Sequence, residues 1–500
     1  ETTQRTRFRL IAALLLMGSY ASTPEQEAAF KAKIARNDAI AAMNKIQGFD
    51  VVIVCCTSKS QTDYWQKRLE ESKGCISPAD ARVFAVEEDW SDGGAGNGLG
   101  TLYAWHKACA MDSKLKADLE AGKISVGLFH TAGKGTRLAP MPGSECNNKP
   151  AVKLPAVIKT KTTVYPLTIL EAVIKQTGVY ASSRKGRLSV FWGDQVFIPC
   201  VKTSYTPTHH ADILARLGPM PNKETYDREG LFNYGLICVD ENGDAKQIEK
   251  VSYEVATSIG DFKEVGTSVG SFSVSSALLG SLMTEFSKEL KSKTSKMDTD
   301  PHFWMPLTLD CKTYCDFMLS KGEFGTKEEA TAHYERIVKV KESLKEVEPK
   351  GKYFGAVDIG TKDLCYWWDY GQVKYYMENN LKLLKGATQA EKDEAKAMKT
   401  FLGLQTKGSV TGPLKAVNCA VSDVTVKEAS TASNSVLSTV TSGSLNVQDS
   451  ILVNVTAGSI SCKNCLIYNV ATADDLKLED GQIVVGVTCG NPPKSHLIKS

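Results

Sequence analysis

Apolar runs of strand length alternate with helix-periodic stretches over most of the chain. Residues 24–47 carry Glu, Ala, Lys and Ile at helical spacing, and Phe49-Asp50-Val51-Val52-Ile53-Val54-Cys55-Cys56 reads as a buried strand. The pattern then predicts a helix from Asp63 to Lys73, a strand from Ala81 to Val86, a helix from Leu99 to Asp112 and a strand from Ser125 to His130. A helix at Leu167 to Thr177 and strands at Leu188 to Trp192 and Leu231 to Val239 follow, with long helical regions at 326–348 and 373–403. Strand alternating with helix predicts an α/β fold whose mainly parallel sheet is covered on both faces.

From about residue 409 Val, Ser, Thr and Asn dominate and charges thin out. Four segments align without gaps, starting at Asn418, Asn434, Asp449 and Asn464, so the period is 16, 15 and 15 residues. That period fits one turn of a parallel β-helix, each turn stacking Val, Leu or Ile on the one below; a β-sandwich is the alternative for a Val- and Thr-rich segment. The four aligned Asn and Asp residues predict a polar ladder at a corner, because these side chains tolerate tight turns. Such a module implies folding support or assembly rather than chemistry, and the only His beyond His333 is His496, outside the repeat.

Composition narrows the classes. At 500 residues, 42% apolar and 23% charged, the chain is globular and long enough for two to four domains. The net charge of +3 does not favour nucleic acid. Most of the 14 cysteines sit in apolar runs, which predicts reduced thiols and a cytoplasmic or otherwise reducing compartment. Cys311/Cys315 and Cys462/Cys465 have metal-like separations but no second pair or His to complete a zinc site. Leu10 to Met17, preceded by Arg5, Arg7 and Arg9, reads either as the first helix or as a targeting remnant, and is too short to span a bilayer.

Candidate chemistry concentrates after the strand ending at His130. Gly133-Lys134-Gly135-Thr136-Arg137-Leu138-Ala139-Pro140 is a low-bulk turn that lets backbone N–H groups approach phosphate, with Arg137 as a fixed fork of donors and Lys134 as a mobile charge. It matches neither the ATPase phosphate loop nor the dinucleotide fingerprint. Downstream come Asn148-Lys149-Pro150, the proline-led Tyr165-Pro166-Leu167-Thr168, Trp192-Gly193-Asp194 after an apolar run, and Trp367-Trp368-Asp369-Tyr370-Gly371.

On these motifs the chain resembles the sugar-1-phosphate nucleotidyltransferases, the nucleotide-sugar pyrophosphorylases. The resemblance implies a Rossmann-like mixed-sheet nucleotidyltransferase domain over residues 48–405, between an N-terminal helical segment (1–47) and a C-terminal parallel β-helix domain (406–500). It implies that Gly133, Gly135, Thr136 and Arg137 wrap a nucleoside triphosphate, that Lys149 stabilises the α-phosphate, and that Asp194 and Asp369 hold Mg2+. Asp358, in Val357-Asp358-Ile359-Gly360, is a rival for the second carboxylate.

Glu249 and Lys250, after a hairpin at Asp240-Glu241-Asn242-Gly243, would bind the sugar 1-phosphate. A glycine-rich piece from Gly93 to Thr101, with Gly98 approaching the base, precedes the phosphate turn, which is similar to the fucose-1-phosphate guanylyltransferase branch. The implied reaction is NTP plus sugar 1-phosphate giving NDP-sugar plus pyrophosphate, with a homo-oligomer through the β-helix as a further expectation. A non-catalytic nucleotide-sugar-binding regulator and a metal-dependent glycosyltransferase are the alternative classes.

Overall fold

The run Val51–Cys56 is buried at every position because it lies inside a sheet with helices on both sides. Val51, Ile53 and Cys55 pack on one face with Leu99 and Leu102, while Val52, Val54 and Cys56 pack on the other with Trp65, Leu69, Ile169 and Val173. The computed structural model describes residues 23–91, 93–131, 136–160, 163–260, 262–348, 351–384, 386–404, 410–490 and 494–500. The apolar run at 10–17 and the turn residues Lys134, Gly133 and Gly135 lie outside them.

The central sheet comprises β1 (Val51–Cys56), β2 (Arg82–Glu87), β3 (Val126–His130), β4 (Arg187–Trp192), β5 (His209–Gly218), β6 (Gly235–Val239), β7 (Ala245–Glu249), β8 (Glu264–Ser275) and β9 (Lys352–Asp358). β2, β1, β3 and β4 are parallel neighbours in that order. Helices α1 (Lys59–Ser72), α2 (Gly96–Met111) and α3 (Ile169–Thr177) make the crossovers between them.

Beyond β4 the sheet is antiparallel: β8 pairs with β4, β5 and β6, and β6 with β7, while β9 returns parallel to β5. The sheet is therefore mixed, not mainly parallel as strand–helix alternation alone predicts. After β4 the chain makes the hairpin at Asp240–Gly243 between β6 and β7 and inserts β8 antiparallel between β4, β5 and β6, so the parallel crossover pattern of the first half is not continued.

Other boundaries shift for local reasons. Leu231–Asn233 is a 3₁₀ turn and only Gly235–Val239 is strand. The helical region at 373–403 is two helices, Val373–Leu381 and Gln389–Leu402, the second opened by a Thr388/Glu391 capping box. The proline-led helix α3 starts at a Thr168/Glu171 capping box, and the fully buried Glu171 is held by Arg68 Nε and Nη2 at 2.7 and 2.8 Å. The N-terminal helix Pro24–Met43 packs Ile40 and Met43 into the same core as Met398 and Phe401.

The sequence repeat after residue 409 is visible as strands stacked in parallel register. Ala420 pairs with Val436, Val436 with Ile451, Ile451 with Leu466, and Leu466 with Ile483, before Lys494–Lys499 pairs antiparallel with Ile483–Cys489. Asn418, Asn434, Asp449 and Asn464 all have left-handed backbone, at φ of 50, 47, 48 and 53°. Asn418 Nδ2 donates to Asn434 Oδ1 at 2.8 Å, and Asn464 Nδ2 to Asp480 Oδ1 at 2.7 Å, whereas Asp449 accepts from its neighbour Gln448, so the predicted corner ladder forms in part.

Period-two alternation splits each coil. Leu437, Leu452, Ile467 and Val484 fill the interior of the stack. Val436, Ile451, Leu466 and Tyr468 instead join the core of the preceding part of the chain, against Leu154, Ala156 and Tyr376.

Candidate functional site

The parallel strands leave β1 in opposite directions, β2 to one side and β3 to the other, and that reversal opens a crevice at the carboxyl ends of the strands. A cleft of about 750 Å3 lies there. It is lined by Thr57 after β1, Glu88 after β2, His130 and Thr131 at the end of β3, and Trp192, Gly193, Asp194 and Gln195 at the end of β4. Trp192 reaches this position because Gly270 has no side chain: a Cβ there would lie 1.8 Å from the indole nitrogen, and φ at Gly270 is 75°.

The structure brings Thr136, Arg137, Lys149 and Asp194 to one wall of this cleft, with Gly371 beside them. Lys149 Nζ is ion-paired with Asp194, both side chains being largely buried. Asp369 arrives through a two-stranded antiparallel pair, Gln195–Ile198 with Tyr366–Asp369, whose register sets Asp369 opposite Gln195. Tyr370 N donates to Asp194 O at 3.0 Å and Asn379 Nδ2 to Asp369 O at 2.8 Å, which fix the approach.

A Cβ on Gly371 would lie 2.8 Å from Asp369 Oδ1 and 3.4 Å from Lys149 Nζ, so carboxylate and ammonium flank one glycine. Burial first, and then the charge of Asp194, hold the Asp369 carboxyl above its ordinary value, while the Gly371 N–H that donates to its Oδ1 at 2.6 Å, and then Lys149 and Arg137, oppose the rise. Arg137 is exposed and forms no ion pair with another described residue. Two close carboxylates beside an ammonium and a guanidinium make a donor set suited to a hard divalent cation and to phosphate oxygens.

Asp358, the rival carboxylate, is committed elsewhere: its Oδ1 accepts from Leu217 N at 3.2 Å and Gly360 N at 2.8 Å.

Gly93, Gly94, Gly96 and Asn97 also line the cleft, but Gly98 does not. Its N–H donates to Met297 O at 2.8 Å, and a Cβ would lie 2.8 Å from that oxygen and 3.1 Å from the Phe303 ring. Its smallness serves the packing of α2 on the segment at 297–303 rather than an approach to a ligand. Asn97 is clamped to the same segment, its N–H donating to Asp298 Oδ1 at 2.9 Å and its Oδ1 accepting from Thr299 N at 2.6 Å.

Glu249 and Lys250 are likewise absent from the walls of this cleft. Glu249 ends β7 and faces Asp300, whose carboxyl is held well above the usual range by burial and then by the Glu249 charge. Lys250 has φ of 52°, and Lys321 Nζ donates to Glu249 O.

Sequence reasoning missed Lys296 and Trp192 as wall residues and assigned no role to Glu88 or His130. Lys296 sits in a Lys- and Ser-rich stretch without a motif, so no local signal marks it. Glu88 and His130 stand at strand ends, a position that becomes informative only when strand order is known.

All 14 cysteines are free thiols. Cys311 and Cys315 bring their sulfurs to 3.9 Å, and neither they nor Cys462 and Cys465 gain a third metal-binding side chain among the described residues. Among those residues, no helix is long and apolar enough to cross a membrane. No protein-family model matches the chain, and no curated protein matches it.

Proposed function

We propose that the chain is a sugar-1-phosphate nucleotidyltransferase that converts NTP and sugar 1-phosphate to NDP-sugar and pyrophosphate. The observation that carries this reading is that Arg137, Lys149 and Asp194 line the cleft at the carboxyl ends of the parallel strands, with Asp369 near enough behind Gly371 to feel the charges of all three. The triphosphate lies along Thr136 and Arg137, and Lys149 donates to a non-bridging oxygen of the α-phosphate. A phosphate oxygen of the sugar 1-phosphate attacks the α-phosphorus, the α–β phosphoanhydride bond breaks, and pyrophosphate leaves with the electron pair. The nucleophile is already an anion at neutral pH, so no proton has to be moved and no general base is required.

Asp194 and Asp369 fit Mg2+, because the Asp194 charge that holds the Asp369 carboxyl up would be relieved by a cation between them. Bound there, Mg2+ would offset phosphate charge. Gly93, Gly94, Gly96 and Asn97 face the nucleoside, and Glu249 with Lys250, which do not line this cleft, are not assigned to the sugar 1-phosphate. We read the C-terminal stack as a parallel β-helix, supported by the in-register pairing of successive coils. The free thiols support a reducing compartment.

The test is pyrophosphate release by the purified protein with each of four NTPs and a panel of sugar 1-phosphates. Release should depend on Mg2+ and fall at least about 100-fold in Lys149→Ala and Asp194→Asn variants that keep the wild-type melting temperature. Nucleotide-sugar binding without turnover would instead indicate a regulator. Transfer of the sugar to a hydroxyl acceptor would indicate a glycosyltransferase.

A further inference from the structure

Three neighbouring strands end at the floor of the cleft with one sulfur, one nitrogen and one oxygen donor on the same face. Cys55 on β1 is opposite both Val86 on β2 and His130 on β3. Glu88 follows Val86 by two residues, so strand alternation returns it to that face. Ligand atoms of Cys55, Glu88 and His130 all lie within 4.8 Å of one another, and Cys55 Sγ is 3.8 Å from Glu88 Oε2. On a tetrahedral zinc, with bonds of about 2.3 Å to sulfur and about 2.0 Å to oxygen, two such ligands stand about 3.5 Å apart.

The surroundings prepare each donor. Thr101 Oγ1 donates its single hydrogen to Asn97 O at 2.7 Å, so it must accept from His130 Nε2, 2.9 Å away. The ring proton is therefore on Nε2 and the lone pair on Nδ1, the arrangement in which an outer partner fixes the tautomer of a metal-binding imidazole. Glu88 Oε1 accepts from Ala95 N at 3.1 Å, and among the described residues no cation pairs with this largely buried carboxylate. Gly100 keeps the space clear, because a Cβ there would lie 2.7 Å from Glu88 Oε2 and 3.4 Å from His130 Cε1.

We propose that Cys55, Glu88 and His130 bind a borderline divalent cation, zinc(II) above all, with a fourth position facing the cleft that Glu88 and His130 line. A thiolate and an imidazole favour zinc over magnesium, whereas the all-oxygen pair Asp194 and Asp369 has the opposite preference. Binding releases the thiol proton of Cys55 to solvent as the metal–sulfur bond forms. The site does not depend on the transferase reading.

The experiment strips the full-length protein with a chelator and titrates it with cobalt(II), followed by absorption spectroscopy. The expected result is one equivalent bound, with a thiolate-to-cobalt charge-transfer band and the visible bands of a four-coordinate centre. Cys55→Ser should abolish the charge-transfer band, and Glu88→Gln should weaken cobalt binding at least about 10-fold. Cys311→Ser and Asp194→Asn should leave the band unchanged. Circular dichroism establishes that each variant is folded; if Cys55→Ser does not fold, the Glu88→Gln titration decides. Absence of a charge-transfer band at stoichiometric cobalt overturns the proposal, as does a band that survives Cys55→Ser or binding that is undiminished in Glu88→Gln. Pyrophosphate release is not the readout, so failure here leaves the proposed reaction standing, and the reverse.

Discussion

The phenol of Tyr468 donates to Glu145 Oε1 at 2.6 Å and accepts from the backbone N–H of Lys153 at 2.8 Å. One fully buried side chain of the C-terminal stack thus grips both ends of the segment that carries Lys149. Lys153 Nζ is also ion-paired with Glu145, and Tyr376 Oη donates to Lys153 O at 2.7 Å. The stack is therefore part of what holds the candidate site in shape.

Tyr468→Phe should keep the ring packing but remove one donor from Glu145 Oε1, which Lys153 Nζ and Ser144 Oγ still reach, and leave the Lys153 backbone N–H without its acceptor. Because the acceptor is charged, the expected loss of stability is ~1.5–3 kcal/mol. Chemical denaturation measures that loss, and pyrophosphate release by the still-folded variant should fall as Lys149 loses its support. A variant as stable and as active as the parent would show that this grip contributes nothing.

Gly98→Val should act through packing, since the added atoms would meet Met297 O and the Phe303 ring. Overpacking of this kind costs ~1–3 kcal/mol. The melting temperature should drop, and affinities for NTP and for sugar 1-phosphate should fall together. Selective loss of NTP affinity in a variant of unchanged melting temperature would return Gly98 to the ligand wall.

The corner ladder makes a sharper stability prediction. Asn434 has φ of 47° and accepts from Asn418 Nδ2 at 2.8 Å. Asn434→Ala should cost ~1–2 kcal/mol, because alanine resists left-handed backbone and cannot continue the ladder. Asn434→Gly should cost less than Asn434→Ala, since glycine relieves the strain though not the lost hydrogen bond. Equal destabilisation by the two would assign the whole effect to the hydrogen bond.

His333 predicts an acid sensitivity. It is 5% exposed, its Nε2–H donates to His302 O at 2.8 Å, and burial is the main cause of a pKa lowered to about 4. Between its ordinary value of about 6.5 and that lowered value the unfolded chain binds the proton more readily than the folded one, so stability is lost as pH falls through this window. At pH 5 the loss from this residue is ~2 kcal/mol relative to pH 7. Urea midpoints at the two pH values check it: the pH dependence should be smaller in His333→Gln, and an identical dependence would contradict it.

How much of this was legible in the chain follows from the range over which each feature is decided. The apolar run at 51–56, the helix at Leu167 to Thr177 and the period marked by Asn418, Asn434, Asp449 and Asn464 are local, because backbone periodicity needs only neighbouring residues, although periodicity alone ran the two helices on either side of 382–388 together. Phosphate-suited chemistry around Arg137 and Lys149 was legible for the same reason.

Which of those residues meet was not. Asp369 stands beside Asp194 only because Tyr366–Asp369 pairs in one register with Gln195–Ile198, and the antiparallel half of the sheet depends on where the chain after β4 turns back. Gly98 and Glu249 do not line the cleft and instead meet the 297–303 segment, Gly98 at Met297 and Phe303 and Glu249 at Asp300. Cys55, Glu88 and His130 converge only when strand order makes β1 the neighbour of both β2 and β3. Local pattern sets what each element is, whereas the balance of burial and hydrogen bonding over the whole chain sets which elements touch, and only the tertiary structure expresses that balance.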